Sequence, residues 1–221
     1  MNINDEYQSV RKNVRVYGSV SGNFSFRGEN TIWYESTLER DFIKKLEFND
    51  SVSDVVSQPV AIPYVTKNGN QSTYTPDFLV QFCSANCDGF ANYPKPILAE
   101  IKPRDFLIRD RNKLKVKFKA AWAYASEQGW QFKIYDESRI RDQFLKNIDF
   151  ISRLGHCPIN LLPAHIFKSD HNILMSISLS WHLVARKIFS CDMTQPLNQS
   201  TVIWVNECNP NLTKRDSNER S

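Results

Sequence analysis

"YTPDFLV", residues 74–80, has the make-up of a strand, an aromatic and a proline followed by apolar residues, with an aspartate set inside it. Period-two geometry places Phe78, Val80 and Phe82 on one side and Asp77, Leu79 and Gln81 on the other. A carboxylate in that position needs a reason. "ILAEIK", residues 97–102, raises the same question: Ile97, Ala99 and Ile101 face one way, which leaves Leu98, Glu100 and Lys102 on the other side. A third acid lies in the helix predicted from "STLERDFIKKLEF", residues 36–48. With Leu38 set to zero, Phe42, Leu46 and Ile43 fall at about 40°, 80° and 140°, and Glu39 at about 100°, inside the apolar arc.

Working outward, "QPVAIPYV" and "STYTPDFLVQF" read as strands around "TKNGN", whose Asn68-Gly69 pair predicts a tight turn and therefore a β-hairpin. Leu114, Phe118, Ala121, Trp122 and Ala125 give an apolar helical face between Asn112 and Gln128, ended by Gly129. "WQFKIYD" is another strand, and a further helix is expected from about Arg139 to Ile151. The order helix, strand, strand, strand, helix, strand predicts an α/β domain with a mixed sheet over residues 35–150. Residues 1–34 carry no clear periodicity and read as an N-terminal arm, residues 151–208 as a second small domain, and 209–221 as a polar, disordered tail.

Composition narrows what such a domain can do. The chain of 221 residues is 41% hydrophobic and 24% charged, with seven glycines, which excludes fibrous and low-complexity classes. Its net charge of +4 is compatible with nucleic acid but too small to identify a partner unless clustered. No stretch has the ~18 apolar residues of a membrane span, and the N-terminus lacks the apolar core of a signal peptide, so a cytoplasmic protein without membrane association is expected. Five cysteines at irregular spacing then read as reduced thiols. Cys83 and Cys87, with His156 and Cys157, lack the matching second pair of a zinc site.

Each charged residue has a bland explanation by itself. Ser36 and Glu39 match a capping box, Asp77 suits a strand end, and Glu100 with Lys102 suits a salt-bridged sheet edge. Together they say more. If the two strands are neighbours, Asp77 and Glu100 converge, and two carboxylates at short range repel unless a proton or cation intervenes. Hard oxygen ligands with room for water and a phosphate suit Mg²⁺, with Mn²⁺ able to substitute. Lys102 on the same face could orient an attacking water and stabilise charge on phosphorus, which points to hydrolysis of a nucleic acid strand.

"PDF" at 76–78 and "EIK" at 100–102, separated by 22 residues between Asp77 and Glu100 and preceded by helical Glu39, form a PD-(D/E)XK signature. The longer run "ESTLERDFIKKLEF…SQPVAIPY…YTPDFLV…LAEIKP" resembles the TnsA endonuclease family, the nuclease component of the heteromeric transposases of Tn-seven-like elements, over about residues 35–140. The resemblance implies a restriction-endonuclease-like αβββαβ core, an active site of Glu39, Asp77, Glu100 and Lys102, and metal ligation by Asp77, Glu100 and Glu39. Gln58 matches the family's "QP" segment. The resemblance also implies cleavage of the 5′, non-transferred strands at double-stranded transposon ends. It implies two partners, a separate transposase subunit that cuts and joins the 3′ ends and an AAA+ regulator ATPase. A stand-alone restriction or junction-resolving nuclease would share this fold. An architectural subunit bridging transposase, regulator and DNA is disfavoured by the intact Asp77, Glu100 and Lys102 set.

DNA contact has support independent of the resemblance. Arg104, Arg109, Arg111, Lys113, Lys115, Lys117 and Lys119 face only Asp105 and Asp110 in the same stretch, a local excess of five positive charges directly after the proposed catalytic strand. Lysines at alternating positions cannot all face one groove, so a solvated helix face is the competing explanation. In the C-terminal region, "INLLPAHIF", "ILMSISLSWHLVARKIF" and "STVIWV" suggest short helices and a β-wing joined by "TQPLNQS", a winged-helix-like domain for partner or DNA binding, which the family resemblance also implies. Trp181, His182, Arg186 and Lys187 could face a partner, although aromatic residues at helical spacing more often form core.

Overall fold

The computed structural model describes Ser9, residues 20–83, 94–155, 177–198 and 200–205. The chain forms two compact units, residues 1–142 and 143–221.

In the first unit, β1 (Gly22–Phe26) and β2 (Asn30–Tyr34) form an antiparallel hairpin. These residues fall in the stretch read as an arm, yet Phe26 and Ile32 are buried against Leu38, Phe42 and Ile43. Helix α1 (Thr37–Phe48) starts where Ser36, in extended backbone, accepts a hydrogen bond from the Glu39 N–H at 3.1 Å. The central sheet contains β3 (Val52–Ser57), β6 (Phe78–Phe82), β7 (Ile97–Ile101) and β8 (Gln131–Tyr135) in the order β3-β6-β7-β8. The first two pairings are antiparallel and β7–β8 is parallel. Helix α3 (Arg111–Glu127), preceded by the short α2 (Arg104–Arg109), makes the crossover that a parallel pair requires. Helix, three strands, helix, strand is the order of a restriction-endonuclease-like core.

Two sequence expectations need correction here. The segment "STYTPDFLVQF" is not one strand: β5 (Gln71–Tyr74) pairs with β4 (Ile62–Val65) in a separate hairpin, and β6 begins only at Phe78. Pro76 supplies no N–H for a ladder, so the chain changes sheets across Thr75-Pro76. The sheet neighbour of β6 is therefore "VSDVVS", not "QPVAIPYV". The expected helix from Arg139 to Ile151 is also two pieces, α4 (Glu137–Ile140) and α5 (Gln143–Gly155), and the division between the units falls between them.

The sheet separates two apolar layers, as the alternation in β6 and β7 requires. Phe78, Val80, Ile97, Ala99 and Ile101 pack with α1 and the first hairpin. Leu79 and Leu98 pack on the other face with Val56, Ile62, Tyr74, Ala121 and Ala125. Fully burying each such leucine contributes roughly 1.5–3 kcal/mol. Trp122 is not part of this layer: it is 62% exposed, and the buried stripe of α3 is Leu114, Ala121 and Ala125.

The described part of the second unit contains α5, α6 (Ile177–Ala185) and an antiparallel pair of β9 (Phe189–Cys191) and β10 (Ile203–Val205), with "TQPLNQS" in the connection. Trp181 and His182 are buried, Trp181 against Phe150, and Arg186 is exposed. "INLLPAHIF", Cys87, His156, Cys157 and the tail lie outside the described residues, and the elements present do not establish a winged helix. Among the described residues no helix is long and apolar enough to cross a membrane.

Candidate active site

The pairing of Phe78 with Ala99 and Leu79 with Leu98 sets the register of β6 against β7. One step further along, at the end where β6 begins and β7 finishes, Asp77 and Glu100 lie on the same face as Leu79 and Leu98. Asp77 Oδ2 accepts hydrogen bonds from the Ile101 N–H at 2.6 Å and from Lys102 Nζ at 3.2 Å. Lys102 Nζ also lies 3.1 Å from Glu100 Oε1 and donates to the Ile101 carbonyl at 3.1 Å. One ammonium thus sits between two carboxylates. Asp77 Oδ1 has no hydrogen-bond partner among the described residues.

Glu100 is 1% exposed. Burial, and then the charge of Asp77, push its pKa up to about 7 in spite of Lys102, Tyr74 and Lys117. Burial works against a charged Lys102, but Asp77 and Glu100 outweigh it and hold that ammonium above its ordinary value. Glu39 is likewise raised to about 7, first by burial and then by Asp77. Its two oxygens already serve the helix start, accepting from the Glu35 N–H at 2.8 Å and the Ser36 hydroxyl at 2.9 Å. The capping role and proximity to the site are therefore both real for Glu39.

These residues fit a divalent cation of the hard, oxygen-seeking kind. Glu100 remains short of positive charge even with Lys102 beside it, and Asp77 has an oxygen uncommitted. Among the described residues no three His, Cys, Asp or Glu side chains form a ready cage. An ion held by one or two carboxylates, with water and substrate phosphate completing its shell, is the Mg²⁺ pattern rather than that of structural zinc.

The seven basic residues after β7 do not act as one surface. Arg111, Lys115 and Lys119 are exposed and recur every four residues on α3, forming one stripe. Arg104 and Arg109 are exposed on α2, with Arg109 3.1 Å from Asp110 and stacked over Phe106. Lys113, almost fully exposed, lies 3.8 Å from Asp110. Lys117 differs: its ammonium is 3.8 Å from Glu100 Oε1 and 4.7 Å over the Tyr74 ring, so it belongs to the site.

Sequence reading missed Tyr74, which is 5% exposed and whose hydroxyl donates to Glu100 Oε2 at 2.5 Å. Burial, then the Glu100 charge, raises its pKa far above the ordinary phenol value, so it stays a donor. Nothing in the sequence separates this tyrosine from a packing aromatic. Gln58 follows β3, donates its N–H to the Asp77 carbonyl at 2.8 Å, and adopts a φ of 49°. A non-glycine residue there carries strain of order 1–3 kcal/mol. Gln58 is 8% exposed and its Oε1 has no partner among the described residues. The "QP" segment pointed to it without a role.

No curated protein matches the chain. Residues 49–137 match the family model described as TnsA-like endonuclease N terminal, a span that holds Gln58, Tyr74, Asp77, Glu100, Lys102 and Lys117. This match makes residues 49–137, the stretch that carries Asp77, Glu100 and Lys102, similar to a TnsA-like endonuclease N-terminal domain.

Proposed function

We propose that the protein is a Mg²⁺-dependent DNA endonuclease subunit of a Tn-seven-like transposase, which frees the element by cutting the non-transferred strands at its 5′ ends. The observation that carries the chemistry is the ammonium of Lys102 wedged between Asp77 and Glu100 at the end of two adjoining strands. The family match supports the DNA substrate and the transposition setting.

Asp77 and Glu100 would hold the ion, with Glu39 reaching it through water or by giving up its cap bonds. When bound, Mg²⁺ or Mn²⁺ would lower the pKa of a coordinated water and offset charge on the scissile phosphodiester. Lys102, released from one carboxylate, would donate to a phosphate oxygen or the attacking water. Burial of Glu100 keeps bulk water from competing for these contacts. The stripe of Arg111, Lys115 and Lys119 would track the DNA backbone, an affinity sensitive to salt and indifferent to sequence. Such binding suits a nuclease positioned by its partners, the transposase subunit that acts on the 3′ ends and the AAA+ regulator ATPase. The second unit is the candidate surface for them.

The test follows from which strand is cut. If a partner cuts and joins the 3′ ends, inactivating Asp77 leaves strand transfer possible while the element stays tethered to its donor, and replication then fuses donor and target. Asp77→Ala supplied with all partners should shift long-read-sequenced products from simple insertions to cointegrates. Mostly simple insertions from that variant would mean that the 5′ cut is made elsewhere.

A further inference from the structure

Neither half of the signature accounts for Tyr74 and Lys117, yet both touch its central acid. Tyr74 ends β5, three residues before Asp77, and the sheet change at Thr75-Pro76 turns its side chain into the apolar layer with Leu79 and Leu98. Its hydroxyl reaches Glu100 Oε2 at 2.5 Å, while Glu100 Oε1 faces Lys102 at 3.1 Å and Lys117 at 3.8 Å. The Lys117 ammonium lies 4.7 Å over the Tyr74 ring and 5.4 Å over that of Phe118. Tyr74 therefore organises a carboxylate with its polar tip and a cation with its ring face.

We propose that Tyr74 is a positioning residue that fixes the Glu100 carboxylate for the cation, and that Lys117, held on its ring, is a phosphate-facing residue of the site rather than a surface contact. This rests on the metal-dependent nuclease reading. The terminal torsion of a glutamate is broad, so a carboxylate held at one end only would rotate between orientations. With Oε2 taken by a hydroxyl, the plane of the group is set and Oε1 is left toward Lys102 and Lys117. Residues that orient ligands in this way typically change metal affinity or activity roughly 10–100-fold when replaced. Lys117 carries a charge that competes with a metal ion for Oε1 and would be freed toward the substrate phosphate when that ion binds. The two residues thus have opposite expected effects on metal binding.

The experiment measures Mn²⁺ binding to the full chain by electron paramagnetic resonance without DNA, and steady-state cleavage separately. Tyr74→Phe keeps the ring and is expected to weaken Mn²⁺ binding about tenfold or more. Lys117→Met is expected to bind Mn²⁺ at least as tightly as wild type while losing kcat, whereas Lys115→Met, on the exposed stripe, should chiefly raise KM for DNA. If Tyr74→Phe does not melt cooperatively, Tyr74→His takes its place; its shorter ring should not reach Oε2, and weaker binding is again expected. Wild-type Mn²⁺ affinity in the folded Tyr74 variant, or a Lys117→Met that behaves like Lys115→Met, would overturn the proposal. If the wild-type protein itself bound no Mn²⁺ and cut no DNA, the nuclease reading would fall, and this proposal with it.

Discussion

Glu100 in the first unit and Asn147 in the second are both polar side chains almost wholly shielded from solvent, at 1% and 3% exposure. Asn147 is balanced by its surroundings: its amide nitrogen donates to the Met193 and Gln195 carbonyls at 3.0 and 2.7 Å, and its oxygen accepts from Gln143 at 3.0 Å. Glu100 has partners too, but they leave the cluster short of positive charge, and its acid is raised to about 7. Burial of a polar group is therefore a poor guide to chemistry, because most such groups are satisfied as Asn147 is. What separates the two is residual electrostatic imbalance, which structural hydrogen bonds remove and a cation-binding site retains.

The sharpest way to break this comparison is to remove the charge that partly balances the acids. Lys102→Ala should lose about two to three orders of magnitude in cleavage rate, the scale of one lost electrostatic contact, while still binding Mn²⁺. Collapse of metal affinity in that variant would make Lys102 structural.

Next in size is the dependence on pH. Glu39 and Glu100 titrate near 4.5 when unfolded and are raised to about 7 by burial and by Asp77. Between those values the folded chain holds more protons than the unfolded one, so without metal the contribution of these two acids to stability should be greatest below about 4.5 and fall as pH rises to about 7. Mn²⁺ affinity should rise over the same window, because binding displaces those protons. Glu100→Gln should flatten part of the stability profile in chemical denaturation at several pH values. An unchanged profile would mean that Glu100 is not the titrating acid.

Asn147 should give the smallest effect and the opposite kind. Asn147→Ala leaves two carbonyls and a Gln143 amide without their partner, a loss of about 1–3 kcal/mol, visible as a lower melting temperature with the cleavage rate unchanged. Loss of cleavage without loss of stability would erase the contrast between the two units.

Much of the core was legible because period-two alternation and burial agree. The two faces read from "YTPDFLV" and "ILAEIK" are the two apolar layers of the sheet, and Asp77, Glu100 and Lys102 meet because two neighbouring strands place them on one face. The strand break at Pro76 was masked by an apolar run that continues through it, which hid β3 as the true neighbour of β6. Trp122 misled because helical spacing alone cannot tell the edge of an apolar stripe from its centre. Tyr74 could not be found by pattern at all, since its role lies in where a hydroxyl ends, 26 residues away in sequence from its partner. Lys117 was recognised as basic, but its place beside Glu100 depends on how α3 packs on the sheet.

The central claim is that the Asp77 and Glu100 pair is a cation-dependent DNA-cutting site, and nicking of supercoiled DNA tests it most directly. Wild-type protein is compared with Asp77→Ala in Mg²⁺, in Mn²⁺ and in chelator, with partner proteins present and thermal melting recorded in parallel. Nicked product is expected with either ion, none with chelator, and none from Asp77→Ala, which should still melt cooperatively, because relief of its repulsion on Glu39 and Glu100 opposes the loss of its contacts to the Ile101 N–H and Lys102. Substantial cleavage by folded Asp77→Ala, or cleavage that survives the chelator, would contradict it.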